Sequence, residues 1–126
     1  MNIKEAAVQT GLSNDTIRYY ERIGLIMPVP RKDNQLRDFK ERSINQLRFA
    51  KTMRNAGVSI ERLREYVNMV FEDDDRTIPT RKELLREQAE EMQERIDKMQ
   101  AAHDHLIYKI ENYDEHMRSA ENRLDK

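Results

Sequence analysis

From Leu85 to Leu124 apolar residues return at alternating steps of four and three, and neither glycine nor proline interrupts them. The positions are Leu85, Ala89, Met92, Ile96, Met99, His103, Leu106, Ile110, Tyr113, Met117, Ala120 and Leu124, with His103 the one polar member. This is the heptad pattern of a coiled-coil seam, and about 40 residues of it make a helix of roughly 60 Å at ~1.5 Å per residue. A lone helix cannot bury so narrow a stripe. The seam therefore predicts a partner helix, and the simplest partner is a second copy of the chain. It restricts the architecture to a mainly α fold whose last part, residues 76–126, is a dimerisation helix.

Residues 1–75 read as a separate domain. Ala7, Gly11 and Ile17 stand at offsets zero, four and ten, which is helix-turn-helix spacing: a small residue where two helices touch, a turn glycine, an apolar anchor. Ser13 is placed to cap the second helix, Asn14 to Arg22, by accepting a bond from an otherwise orphan backbone N–H. Ile17 then faces inward and Thr16, Arg18, Tyr19 and Arg22 stay outward, side chains that bond base edges and phosphates.

After Gly24, two short extended segments, Leu25 to Val29 and Leu36 to Phe39, flank a polar tip. Pro28 and Pro30 forbid a central strand but suit an edge, so the stretch predicts a two-stranded wing presenting Arg31, Lys32 and Arg37. Ile44, Leu47, Ala50 and Met53 then mark a helix closed by Gly57, and Ser59 caps another carrying Ile60, Leu63, Val67 and Val70. Glu72 to Asp75 reads as a solvated acidic linker. Thr80 to Glu83 reads as a capping box behind Pro79, opening the long helix.

Charge supports this division. Residues 1–64 hold 13 Lys/Arg against 7 Asp/Glu, hence +6, and residues 65–126 hold 10 against 17, hence -7. A basic half suits phosphate binding, which gains affinity by releasing counterions, whereas the acidic half would be repelled. There is no cysteine, so disulfides, thiolate metal sites and thiol sensing are excluded. His103, His105 and His116 lack the spacing of a two-ligand helical site, so no metal and no cofactor are expected. Nor is an enzyme, because no nucleophile-base pairing or phosphate-cradling glycine loop is visible. No apolar run reaches the ~20 residues of a membrane span, which leads us to expect a cytoplasmic protein.

TIRYYERIGLIMPVPR, followed by LRDF and MRNAGVSIERL, resembles the mercuric-resistance regulator (MerR) family along the whole chain. FAKTMRNAGVSIERL and EDDDRTIPTRKELL are most similar to its aldehyde- and nitrosative-stress branch. The resemblance implies a winged helix-turn-helix homodimer joined by an antiparallel coiled coil. It further implies an inverted repeat in a promoter with an overlong spacer, which the protein distorts so that RNA polymerase can engage it. Such distortion costs a few kcal/mol, enough to act as a switch. Thr16, Arg18 and Tyr19 would be reading-helix contacts, Tyr20 a packing or phosphate contact, Arg37 the wing contact, and Lys4 a phosphate contact. In an antiparallel pair the two His103 copies could lie close, adding repulsion below about pH 6.5.

Two departures from the family bear on function. Its wing usually ends Gly-Tyr-Arg before an aromatic, whereas here Gln35, Leu36 and Arg37 precede Asp38 and Phe39. The branch commonly carries a reactive cysteine where this chain has Thr52, and a hydroxyl cannot form thiolate adducts. Any small effector would have to bind where the fourth helix meets the partner's coil, near Tyr66, Met69, Val70 and Phe71. The alternative to a regulator is an architectural, excisionase-like DNA-bending protein without effector, against which the long coil argues.

Overall fold

The computed structural model describes residues 1–113, 118, 121 and 122. Among the described residues five α-helices are delimited: α1 (Ile3–Thr10), α2 (Asn14–Arg22), α3 (Glu41–Asn55), α4 (Ile60–Glu72) and α5 (Ile78–Glu111), with a 3₁₀ turn at Asp75–Thr77 before the last. The chain forms two compact units, Met1–Gln88 and the part from Ala89 onward.

In the first unit α1 packs on α2 and α3, and α3 on α4. Its core is Ala6, Ile17, Tyr20, Leu25, Ile26, Val29, Phe39, Ile44, Leu47, Ala50, Val58, Leu63, Val67 and Leu84. The turn between α1 and α2 is made as the spacing required. Gly11 takes the left-handed conformation at φ 73° and its N–H returns to the carbonyl of Ala7. The small residue at the helix contact, however, is Ala6, fully buried, with Thr10 one turn on, while Ala7 is only half-buried. Ser13 caps α2, accepting the Thr16 N–H at 3.1 Å, and Ser59 caps α4, accepting that of Arg62 at 3.1 Å.

The wing differs from its expected form. Among the described residues there is no ladder, only one antiparallel bridge between Arg31 and Arg37. Lys32 donates to the carbonyl of Leu36 and Asp38 to that of Pro30. Leu25, Ile26 and Val29 belong to the core rather than to a strand. The cause is the pair of prolines, which removes two donors. The two N–H groups left between them and Ile26 bond side chains instead: Met27 to Gln46 Oε1 at 2.9 Å, Val29 to Glu21 Oε2 at 2.6 Å. At the tip, Gln35 adopts φ 68°, the left-handed conformation that a glycine would take without strain.

The long helix starts two residues before Thr80, so the expected capping box is not its beginning. Pro79 sits in the first turn, where its missing N–H costs nothing, and Thr80 already lies within the helix. Nor is the acidic linker merely solvated. Asp73 ends α4 in the left-handed region, and Arg81 donates to the carbonyls of Met69 and Asp74 and to Thr77 Oγ1, closing the α4–α5 joint. Asp74 in turn holds Arg76 through both oxygens; that side-chain pairing, then the Arg76 backbone N–H, lowers its pKa.

α5 runs for 34 residues. In its first turns the buried residues are Leu84 and Gln88, and Gln88 Nε2 has no hydrogen-bond partner. Of the seam, Met92 is half-buried, while Leu85, Ile96, Met99, His103, Leu106, Ile110 and Tyr113 are exposed. Met99 reaches 75% and Ile110 69% exposure, so the single chain leaves the stripe uncovered. Met117, Ala120 and Leu124 lie outside the described residues. His103 places Nδ1 3.2 Å from Asp104 Oδ1.

Candidate nucleic-acid interface

α2 is held from below and presents its other side. Ile17 is fully buried, and Tyr20, at 7% exposure, packs beside it, so of the two roles open to Tyr20 its position supplies packing. Thr16 is half-buried and its hydroxyl accepts a bond from Ser13 at 2.9 Å; Arg18 and Tyr19 are exposed. Arg18 pairs with Asp15 at 3.3 Å, an exposed pair of the kind that contributes little and yields readily to a better anion. The Arg22 guanidinium lies 5.2 Å from the centroid of the Tyr19 ring, which orients both on the outer side of α2.

The wing completes this surface. Arg18 from α2 and Arg31, Leu36 and Arg37 from the wing line one depression of about 180 Å³, with Asn2 and Ile3 at the start of α1 closing it. Three arginines thus line one depression where α2 and the wing meet. Lys4 is exposed in the first turn of α1 and Lys32 at the wing tip. Arg37 is not simply presented outward. Its Nε donates to Glu21 Oε1 at 2.7 Å, while Arg31 Nη2 lies 3.9 Å from the same oxygen.

Glu21 was not singled out by sequence reasoning, because a glutamate on a reading helix has no helical pattern to mark it. Burial pushes its carboxyl up. The Val29 N–H, the Arg37 hydrogen bond and the two guanidinium charges outweigh that and hold it below the usual carboxylate range. Where the wing rejoins the core, Lys40 and then the Met1 ammonium hold the Asp38 carboxyl down to about 2.

Three of the four residues expected near an effector lie together. Tyr66, Val70 and Phe71 line a groove of about 520 Å³ with Leu25, Phe49 and Val67, and Glu41, Arg42, Asn45 and Gln46 form its polar edge. Met69 is not in that lining; its carbonyl accepts the Arg81 bond. Phe49, whose ring centroid is 5.9 Å from that of Tyr66, was missed because it lies on α3, off the cluster visible in sequence. Among the described residues no group of His, Cys, Asp or Glu could hold a metal ion, and no helix is long and apolar enough to cross a membrane.

Comparison with known proteins bears on this geometry. The sequence model of the family described as "MerR HTH family regulatory protein" matches residues 1–70, and that described as "MerR, DNA binding" matches residues 44–108. The chain is 49% identical over 92 residues to the HTH-type transcriptional regulator AdhR of Bacillus subtilis (strain 168), a match covering 73% of this chain and 65% of AdhR. It is 32% identical over 112 residues to the regulator CueR of Salmonella typhi, covering 89% and 80%. A MerR family transcriptional regulator from Listeria monocytogenes superposes with a TM-score of 0.86 at 46% identity, covering 99% of this chain and 94% of that one. HiNmlR, a MerR family regulator lacking the sensor domain and bound to promoter DNA, superposes with a TM-score of 0.79 at 25% identity, covering 95% and 90%.

Proposed function

The chain belongs to the MerR family of helix-turn-helix regulatory proteins, and from that premise we propose that it is a sequence-specific transcription regulator that binds promoter DNA as a homodimer. The observation that carries this reading is the convergence of Arg18, Arg31 and Arg37 on one depression beside the exposed face of α2. Such an arrangement serves a duplex: a helix of this width enters a major groove while flanking cations meet the adjacent backbone. HiNmlR, similar over nearly the whole chain, is a regulator of this family bound to promoter DNA.

Within this reading Thr16, Arg18 and Tyr19 contact base edges and adjoining phosphates. Ser13 holds the start of α2 in register, and Lys4, Arg31, Lys32 and Arg37 meet backbone. The seam through Leu85, Met92, Ile96, Met99, His103, Leu106, Ile110, Tyr113 and Met117 joins two copies as an antiparallel coil, so that residues 1–75 read DNA and residues 76–126 pair. A two-fold axis matches an inverted repeat with half-sites ~34 Å apart or a multiple of that. Distortion of the spacer between them conveys the signal to RNA polymerase without requiring contact with it. With Thr52 in place of a cysteine, regulation does not use thiolate chemistry; an effector would enter the groove of Tyr66, Val70 and Phe71. The protein acts in the cytoplasm, on the nucleoid.

The test is to incubate the full chain with fragmented DNA from its source at physiological salt and sequence what remains bound. An inverted repeat inside an overlong promoter spacer is the expected result and would name the target genes. Scattered fragments without a shared repeat would replace the regulator by an architectural protein, and no retained DNA would remove the reading altogether.

A further inference from the structure

Glu21 stands in the last turn of α2, yet its side chain is only 12% exposed and both carboxylate oxygens are engaged by the wing. Oε2 accepts the N–H of Val29, on the arm that enters the wing, at 2.6 Å. Oε1 accepts Arg37 Nε, on the arm that leaves it, at 2.7 Å. Arg31, bridged to Arg37 across the hairpin, approaches the same oxygen at 3.9 Å. One carboxylate therefore ties both arms of the wing to the reading helix.

The bases of both arms are anchored by the buried Val29 and Phe39 and by the contacts of Asp38 with Lys40 and the Met1 ammonium, and the Glu21 carboxylate adds the tie that joins both arms to α2. A ladder would set the angle between the arms through regular backbone bonds, but here a single bridge replaces the ladder, two prolines remove two donors on the entering arm, and the Val29 N–H turns to Glu21 instead. With both oxygens engaged and its side chain 12% exposed, the carboxylate is not free to reach DNA itself. It takes Arg37 through Nε, and Arg37 is one of the residues lining the depression with Arg18 and Arg31.

We propose that Glu21 is a positioning residue for DNA recognition: by holding both wing arms against α2 it sets the offset between the bases read by α2 and the flanking positions met by Arg31 and Arg37. The role rests on the DNA-binding reading above. It assigns to a residue that never touches DNA part of the selectivity at the outer edge of each half-site.

The test uses the full chain with Glu21→Ala and the isosteric Glu21→Gln, which keeps an acceptor for Val29 but not the charge that holds Arg37. Amide exchange of the free protein, followed residue by residue by NMR, comes first. Val29 should exchange faster in Glu21→Ala while the amides of α2 keep their protection. Unchanged exchange at Val29 would overturn the proposal whatever DNA does. Duplexes are then selected from a random library by each protein and footprinted with hydroxyl radicals. Glu21→Ala should retain the positions read by α2, lose preference and protection in the flanks, and bind the wild-type duplex about tenfold more weakly, the equivalent of one lost contact; Glu21→Gln should fall between. Flank preference and protection equal to wild type would reduce Glu21 to a brace for folding and end the recognition role. Should Glu21→Ala fail to fold, the Gln variant decides by flank preference and protection alone, since it keeps an acceptor for Val29 and loses the charge that holds Arg37. A wild-type chain that selects no duplex overturns the DNA-binding reading and the recognition role with it, an outcome the exchange measurement keeps distinct from failure of the tie.

Discussion

Lys51 on α3 places its ammonium 2.8 Å from the carbonyl oxygen of Thr10, the last residue of α1. A helix ends with carbonyls lacking partners and carrying partial negative charge, so a cation there satisfies one and opposes the dipole. The same ammonium lies 2.5 Å from where a side chain on Gly11 would begin, so the turn is closed by a residue forty positions on. Lys51→Met keeps most of the stem and removes the charge. It should cost about 1 to 2 kcal/mol and lower Tm by several degrees in a thermal melt. A variant as stable as wild type would show that the contact does not hold the turn.

At the wing tip the chain accepts a strain that one substitution relieves. Gln35 adopts φ 68°, which costs a residue with a Cβ about 1 to 2 kcal/mol, while its own N–H and C=O make the bonds to Lys32 and Arg31. Gln35→Gly keeps those backbone bonds and gives back part of the gain through the freer unfolded chain, so a net stabilisation of about 0.5 to 1 kcal/mol is expected. Differential scanning calorimetry checks it; a Tm that stays level or drops would mean the tip is not strained.

What the sequence disclosed and what it hid divide along a physical line. Ser13, Gly11 and Ser59 were legible because caps and turns depend on neighbours a few residues away. The wing was legible as a place but not as a structure, since Val29 and Met27 find their acceptors on α2 and α3. Neither Glu21 nor Gln46 belongs to any local pattern. Leu84 and Leu85 show the same limit. The heptad picks Leu85, and Leu84 is the one buried, because there α5 lies beside Phe49, Met53 and Leu63 rather than along a seam. The family resemblance, carried by RYYERIGL, supplied the function that periodicity alone did not.

Acid should loosen the wing before it unfolds the chain. Glu21 has a folded-state pKa below its ordinary value, so it contributes stability that is fully present above the unfolded pKa of ~4.3 and is lost as pH falls through the lower folded value. Asp38, held down to about 2 by Lys40 first, has the same sign but stays ionised through that range. Melting temperatures of wild type and Glu21→Gln should therefore differ most above pH 5 and draw together as pH falls to 3. A gap that stays constant over that interval would separate Glu21 from the acid response.

Arg18 offers a direct probe of the reading helix. Its tie to Asp15 is exposed and weak, so the side chain is available to a guanine edge or a phosphate. Arg18→Ala should cost on the order of 1 to 3 kcal/mol in binding to the selected duplex, with selectivity relaxed at one position if the contact is to a base. Titrations by fluorescence anisotropy on the selected duplex and its single-base variants read both quantities. Affinity and selectivity equal to wild type would take Arg18 out of the interface.

The seam makes a prediction that distinguishes pairing from folding. Ile96 is 57% and Ile110 69% exposed in the single chain, so within one copy they bury little and their loss should cost that copy little. Between two copies the same side chains would sit in the interface, where a buried carboxylate without a partner is strongly unfavourable. Ile96→Asp with Ile110→Asp should therefore convert a dimer into a monomer in sedimentation equilibrium while leaving the thermal transition of residues 1–88 nearly in place. Binding to the full inverted repeat should fall by about a hundredfold or more, because the second half-site is then no longer engaged as part of the same complex. A double variant that still sediments as a dimer would move the interface off this stripe, and a monomer that kept wild-type affinity would break the link between pairing and recognition.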